Sequence, residues 1–212
     1  MKFYLSSYRL GDQPDELAKL VSGNKKTAVI SSARDAFDRD DVVERMTREM
    51  DELTNLGFEP EEVRFSDYFD KPAELDSKLS EHGLLWILGG NVFVLRRAML
   101  DSRFDQWIER ARDQEIVYAG YSAAGCVAGP TLKGLDIVDD PEEVKAAYGK
   151  DVEWSGLELV PFSFAPHYRS DHPESAGVEK EVEYLKSHNM PYRAIKDGQA
   201  IIIENGEERT VG

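Results

Sequence analysis

The sequence predicts an α/β fold, one mostly parallel sheet with helical crossovers. Three observations carry this expectation. Short apolar runs alternate with amphipathic stretches of helical period along the chain. The run Leu84–Leu88 (LLWIL) is continuously apolar, the mark of a strand covered on both faces. Two of the apolar runs end in small-residue turns, Gly89-Gly90-Asn91 and the stretch from Gly120 to Gly125. The carboxyl ends of strands are where open parallel sheets build their sites.

The elements follow in order. Lys2–Tyr8 reads as a first strand, and Pro14–Val21 as a short helix with Leu17, Leu20 and Val21 inward, stopped at Gly23-Asn24. Lys26–Ser31 holds Ala28-Val29-Ile30, a central strand. Asp40–Leu56 carries the clearest helical stripe, Val42, Val43, Met46, Met50, Leu53 and Leu56. Its Glu44/Arg48 and Arg45/Glu49 pairs read as a solvated face. Glu61–Tyr68 suggests a strand with Val63 and Phe65 on one side, and Pro72–Ser80 a helix. Val92–Leu100 and Phe104–Arg112 look helical, and Ile116–Ala119 is a short buried strand running into the serine turn. Beyond it, Pro141–Tyr148 and Val178–His188 read as helices, and Leu157–Phe164, Tyr192–Ile195 and Gln199–Glu204 as strands. Asp197-Gly198 and Asn205-Gly206 are hairpin signals. They place a small antiparallel addition at the edge of one domain covering residues 1–212.

The chain has 212 residues, enough for a sizeable core, and a formal net charge of -15 from 26 Lys+Arg against 41 Asp+Glu. Such acidity argues against nucleic acid or an anionic membrane as partner. The single cysteine, Cys126, excludes an internal disulfide and a cysteine-rich zinc site. No secretion signal and no membrane-length apolar run is read, so a cytoplasmic location is expected.

The chemistry-bearing stretch is IVYAGYSAAGCVAG, Ile116–Gly129. Small residues on both sides of Ser122 suggest a sharp strand-to-helix turn that presents the hydroxyl; the plain alternative is a serine near a helix cap. A serine nucleophile needs a base, and only His82, His167, His172 and His188 exist. His167, just after a strand in FSFAPHY, is the best placed, with His172 second. The orienting acid is sought between nucleophile and base. Asp136 is favoured for its apolar setting, with Asp139 and Asp140 as alternatives that could equally cap a helix. Backbone amides at Ala123 and in the Gly89-Gly90-Asn91 turn would hold an oxyanion. The stretch is not the G-x-S-x-G elbow, since Ala124 stands two residues after Ser122, and no phosphate-binding glycine motif occurs. Cys126 reads as a buried small hydrophobe. His167, His172 and Asp171 form only a loose cluster, and no metal site is assigned.

The segments LLWILGGNVFVL (Leu84–Leu95), VYAGYSAAGCVAGPTLKGLDIVDDP (Val117–Pro141) and PFSFAPHY (Pro161–Tyr168) resemble the dipeptidase E and cyanophycinase family of serine peptidases. The resemblance implies a flavodoxin-like three-layer sandwich, related to class I glutamine amidotransferases with serine in place of cysteine. It implies hydrolysis after acidic residues, of N-terminal aspartyl peptides or β-aspartyl-arginine links, without metal or cofactor. Matched residue by residue, Ser122 is the nucleophile, His167 the base and Asp136 the third member. Gly90 and Ala123 are the oxyanion amides, and Ala124 stands where the family has glycine. Asn91 and Arg169 are candidate substrate contacts, and Arg193 a further arginine for a substrate carboxylate. The expected partner is a small peptide substrate, and the chain a monomer or homodimer. Two other readings remain: a non-catalytic small-molecule binding domain of the same fold, and an amidotransferase-like amidase.

Overall fold

The computed structural model describes residues 1–212. In chain order the elements are β1 (Lys2–Ser6), α1 (Asp15–Leu20), β2 (Lys26–Ile30), α2 (Arg39–Asn55), β3 (Glu59–Glu62), α3 (Pro72–Leu79), β4 (Leu84–Ile87), α4 (Val92–Asp101), α5 (Phe104–Arg110), β5 (Val117–Tyr121), α6 (Ala123–Ala128), α7 (Glu143–Tyr148), β6 (Ser163–Ala165), α8 (Ser175–Ser187), β7 (Tyr192–Ala194), β8 (Ala200–Glu204) and β9 (Glu207–Val211). Seven strands form one sheet in the order β3-β2-β4-β5-β1-β8-β9. The first five are parallel, and β8 and β9 are antiparallel.

Alternation along each strand sorts side chains to two faces. Leu84, Trp86, Val117 and Ala119 pack with Leu17 and Leu20 of α1 and Met46 and Leu53 of α2. Leu85, Ile87 and Tyr118 pack on the opposite face with residues of α3 to α7. The result is the expected three-layer α/β sandwich. Asn205-Gly206 makes the β8–β9 hairpin with both residues at positive φ, 53° and 79°, as a type I′ turn requires.

Several boundaries differ from expectation for tertiary reasons. Residues 63–68 are not strand: β3 ends at Glu62, and Phe65 enters the core from a 3₁₀ turn. Residues 157–160 run alongside α6, where Leu157 and Leu159 N–H donate to the Val127 and Ala128 carbonyls, and only Ser163–Ala165 is strand. Asp197-Gly198 does not turn a hairpin, because β7 pairs in parallel with β6 in a separate two-stranded sheet. The α2 face is not uniformly solvated. Glu49 is buried, accepting from Trp86 Nε1 (3.1 Å) and Arg9 Nε (3.2 Å).

Register is what positions the site. Ile87 stands opposite Gly120, and Ser6 opposite Tyr121. The ends of β1, β4 and β5 are therefore level, and Ser7, Gly89-Gly90 and Ser122 emerge together. Because β8 is antiparallel to β1, with Ala200 opposite Ser6, the segment entering β8 arrives at that same end. That segment carries Asp197.

Candidate active site

Ser122 sits between β5 and α6 with φ 51° and ψ −110°, a strained conformation for a residue with a side chain. Its hydroxyl does not cap α6, so the plain capping alternative is not what the structure shows. Three glycines make the turn possible. A Cβ on Gly120 would lie 2.2 Å from the Ile87 carbonyl oxygen and 2.7 Å from the Ala124 methyl. Gly120 thus provides the room in which Ala124 fits. A Cβ on Gly125 would strike the Phe164 ring at 2.3 Å, and one on Gly89 would lie 3.1 Å from Ser122 Cβ.

His167 is buried and also has positive φ, 57°. The turn it starts is closed by Ser170 N–H donating to the His167 carbonyl at 3.2 Å. Its Nδ1–H donates to Asp197 Oδ1 at 2.6 Å. Ser7, fully buried, ties the pair together: its Oγ accepts from the His167 backbone N–H (2.7 Å) and its hydroxyl donates to Asp197 Oδ1 (2.7 Å). The Asp197 N–H in turn donates to Ser170 Oγ at 2.8 Å. With Nδ1 as donor, the lone pair of the ring lies on Nε2. Burial, opposed by Asp197, holds the imidazole below its ordinary range, so it is neutral at neutral pH and able to accept a proton.

The orienting acid is the correction to the sequence reading. Asp136 is exposed in a 3₁₀ turn before α7 and does not reach His167; the carboxylate on the imidazole is Asp197. The alternatives Asp139 and Asp140 serve backbone instead. Asp139 Oδ2 accepts from Val92 N–H at 2.8 Å, and Asp140 Oδ1 from Glu142 N–H at 2.9 Å. Ser7 was not singled out either. It lies in an ordinary strand end, and nothing local marks it.

Ser122, His167, Asp197, Gly89, Gly90 and Asn91 line one cleft of about 790 Å³. Gly90 has φ 153°, and a Cβ there would lie 2.5 Å from the Ala33 carbonyl oxygen. The N–H groups of Gly90 and Ala123 donate to no backbone acceptor; Ala123 is the first residue of α6, where no intrahelical partner exists. Both expected oxyanion donors are thus free amides. Asn91 lines the cleft, but its side chain is committed elsewhere. Its Oδ1 caps α4 at Phe93 and Val94 N–H (2.9 and 3.1 Å), and its Nδ2 donates to the Asp140 carbonyl (2.8 Å). Arg169 does not line the cleft, and its guanidinium lies 5.0 Å over the Tyr168 ring. Arg193 pairs with Glu208 (2.6 Å) away from the cleft. The arginines that do line it are Arg34 and Arg45. Arg34 lies beside Gly90 and has its Nε buried without a partner.

Cys126 is buried, its thiol donating to the Phe164 carbonyl at 3.3 Å. Burial, with Glu181 and Asp139 nearby, pushes the thiol well above its ordinary range. Cys126 is therefore not a thiolate nucleophile.

Behind Ser122 lies a small void lined by Ala123, Cys126, Asp139, Glu174 and Glu181. Glu181 is 1% exposed and its Oε2 has no partner. Burial, then Asp139, pushes its carboxyl up to about 8; burial pushes Asp139 up to about 7. The folded chain keeps a proton on Glu181 that the unfolded chain releases above its ordinary value of 4.5. Stability contributed by this group is therefore full below about 4.5 and is lost as pH rises toward about 8. Glu181→Gln is expected to unfold like wild type near the acid end of this window and to be more stable by roughly 4 kcal/mol at the alkaline end. Urea midpoints at the two pH values measure this, and an equal shift at both would contradict the burial argument.

The sequence model of Peptidase family S51 matches residues 6–211. A Peptidase E of Streptomyces coelicolor (strain ATCC BAA-471 / A3(2) / M145) is 26% identical over 144 residues, 64% of this chain and 54% of that protein. An uncharacterized peptidase of Pasteurella multocida (strain Pm70) is 25% identical over 133 residues, 63% of this chain and 61% of that protein. The matched region thus spans less than two thirds of either relative's length. Among solved structures, a candidate peptidase E protein from Listeria monocytogenes EGD-e superposes with a TM-score of 0.80 at 23% identity, covering 99% of this chain and 97% of that one. A peptidase from an acI-B1 Actinobacterium superposes at 0.74 and 14% identity, covering 100% of this chain and 87% of that one. These structures share the α/β sandwich with its antiparallel C-terminal strands.

Proposed function

We propose, given that this chain belongs to peptidase family S51, that it is a serine peptidase hydrolysing short peptides, with aspartyl dipeptides as its substrates. The observation that carries this reading is the meeting, in one cleft, of a strained serine, a neutral imidazole backed by a carboxylate, and the free Gly90 amide, with the free Ala123 amide on the residue after the serine.

His167 Nε2 takes the proton of Ser122 as its Oγ attacks the scissile carbonyl. The imidazolium that forms is stabilised and held in orientation by Asp197, which itself stays ionised. Gly90 and Ala123 N–H receive the oxyanion. The imidazolium returns its proton to the leaving amine. Water, activated by the same base, then frees the acid and regenerates Ser122. Arg34, which lines the cleft beside Gly90, is suited by its guanidinium to the carboxylate of an acidic substrate residue. This position replaces Arg169 in the reading of specificity.

The test is a panel of dipeptides with aspartate, glutamate, asparagine or leucine at the first position, followed by release of the second amino acid. Aspartyl dipeptides are expected to be cleaved fastest. Preferential ammonia release from asparagine or glutamine would favour an amidase, and turnover of no substrate would favour a binding domain.

A further inference from the structure

A second histidine, His172, lines the cleft, and no step of the hydrolysis uses it. It is half-buried on the loop leading to α8. Its ring lies face to face on the His167 ring, with centroids 3.7 Å apart and planes 7° from parallel. Tyr8 stands across both rings, its centroid 6.0 Å from that of His167 and 5.7 Å from that of His172.

The loop that carries His172 is pinned. Pro173 fixes its own φ and restricts the backbone of His172 before it. Ser175 N–H donates to the His172 carbonyl at 3.0 Å, and Ser170 N–H donates to Ser175 Oγ at 3.2 Å. Ser170 Oγ in turn accepts from Asp197 N–H at 2.8 Å. One serine therefore ties the His172 loop to the carboxylate that holds His167. Glu174 N–H donates to His172 Nδ1 at 3.3 Å, so that nitrogen is the acceptor and the ring hydrogen is on Nε2. His172 is thus the uncharged imidazole. A second cation at this separation would repel the imidazolium that forms on His167, and an uncharged ring does not.

The bond of 2.6 Å to Asp197 fixes the position of His167 Nδ1, but one hydrogen bond still lets the ring tilt about it. Nε2 lies across the ring, so any tilt displaces the atom that must take the Ser122 proton. Proton transfer needs heavy atoms within hydrogen-bond reach, about 2.6–3.2 Å. A tilted ring also meets a competing partner, since Glu174 Oε2 lies 3.8 Å from Nε2. A flat neighbour at 3.7 Å removes this freedom, because tilting drives one edge of the imidazole into it.

We propose that His172 is a positioning residue of the hydrolytic centre: its flat, uncharged ring holds the His167 imidazole in the plane from which Nε2 takes the Ser122 proton. The proposal rests on the peptidase reading, since His172 has this task only if His167 is the base.

The experiment measures kcat and KM on an aspartyl dipeptide, and the rate at which a fluorophosphonate labels Ser122, in the full chain and its variants. His172→Leu keeps bulk without a flat face, and is expected to lower kcat and the labelling rate by about 100-fold with KM little changed. His172→Phe restores a flat, uncharged face and is expected to recover the rate to within about threefold of wild type. His172→Ala is expected to follow His172→Leu; if thermal melts show that it does not fold, the leucine and phenylalanine variants decide the question. Wild-type rates in His172→Leu, an equal loss in His172→Leu and His172→Phe, or a loss carried by KM alone overturns the proposal. Ser122→Ala keeps the two readings apart. An active Ser122→Ala, or a wild type that is not labelled, sinks the peptidase reading and the role of His172 with it. An inactive Ser122→Ala beside an unimpaired His172→Leu sinks the role of His172 alone.

Discussion

Ser122→Ala is expected to lower kcat on an aspartyl dipeptide by about 100,000-fold or more, because no other nucleophile stands at the centre. Cys126 cannot substitute, being buried, protonated and hydrogen-bonded to Phe164. The stability consequence differs from that of an ordinary serine replacement. The hydroxyl does not cap α6, so its loss removes no cap energy. The backbone strain at φ 51° remains in the alanine variant. Ser122→Gly, equally inactive, is expected to be more stable than Ser122→Ala by roughly 1 kcal/mol, since glycine adopts this conformation without penalty. Steady-state kinetics and thermal melts of the two variants measure both effects. Residual hydrolysis within tenfold of wild type in either would remove Ser122 from the mechanism.

Asp197→Asn carries the second large effect. An asparagine carbonyl can still accept from Ser7, but the side chain no longer bears the charge that stabilises the His167 imidazolium. Its amide can also donate to Nδ1 and so favour the tautomer with the proton on Nε2, which cannot accept from serine. A loss of about 10,000-fold in kcat is expected by analogy with the general behaviour of such orienting carboxylates, with KM little changed. Asp136→Asn is the contrasting control. Its side chain is exposed and remote from the imidazole, so kcat is expected to stay near wild type. The reverse pattern, a silent Asp197 and a dead Asp136, would restore the sequence reading of the triad.

That contrast shows where sequence stops being informative. The placement of Ser122 and His167 in one cleft was legible because each is marked locally. Ser122 is ringed by small residues that a strained turn demands, and His167 is one of only four histidines and follows a strand. The free amides of Gly90 and Ala123 were legible because they follow from the glycine turn and the serine turn. Asp197 was misread because Asp-Gly has a strong local meaning as a hairpin turn, and because a search between nucleophile and base excludes any acid beyond residue 167. Ser7 carried no mark at all. Arg34 and Arg45 sit in what reads as a loop and a solvated helix face, and only folding turns them into one cleft wall.

The sequence by itself determined the α/β class, most of the order of strands and helices, the β8–β9 hairpin and the sharp turn at Ser122. All of these depend on patterns within about twenty residues, where hydrophobic period and turn chemistry act directly on the backbone. Only the tertiary structure decided which carboxylate bonds to His167, which arginines line the cleft and that His172 lies on His167. Those outcomes depend on strand register: levelling the ends of β1, β4 and β5, and running β8 against β1, brings Ser7, Ser122, His167 and Asp197 to one edge of the sheet. Register is set by the packing of two sheet faces at once, and residues separated by 190 positions, such as Ser7 and Asp197, meet only through it.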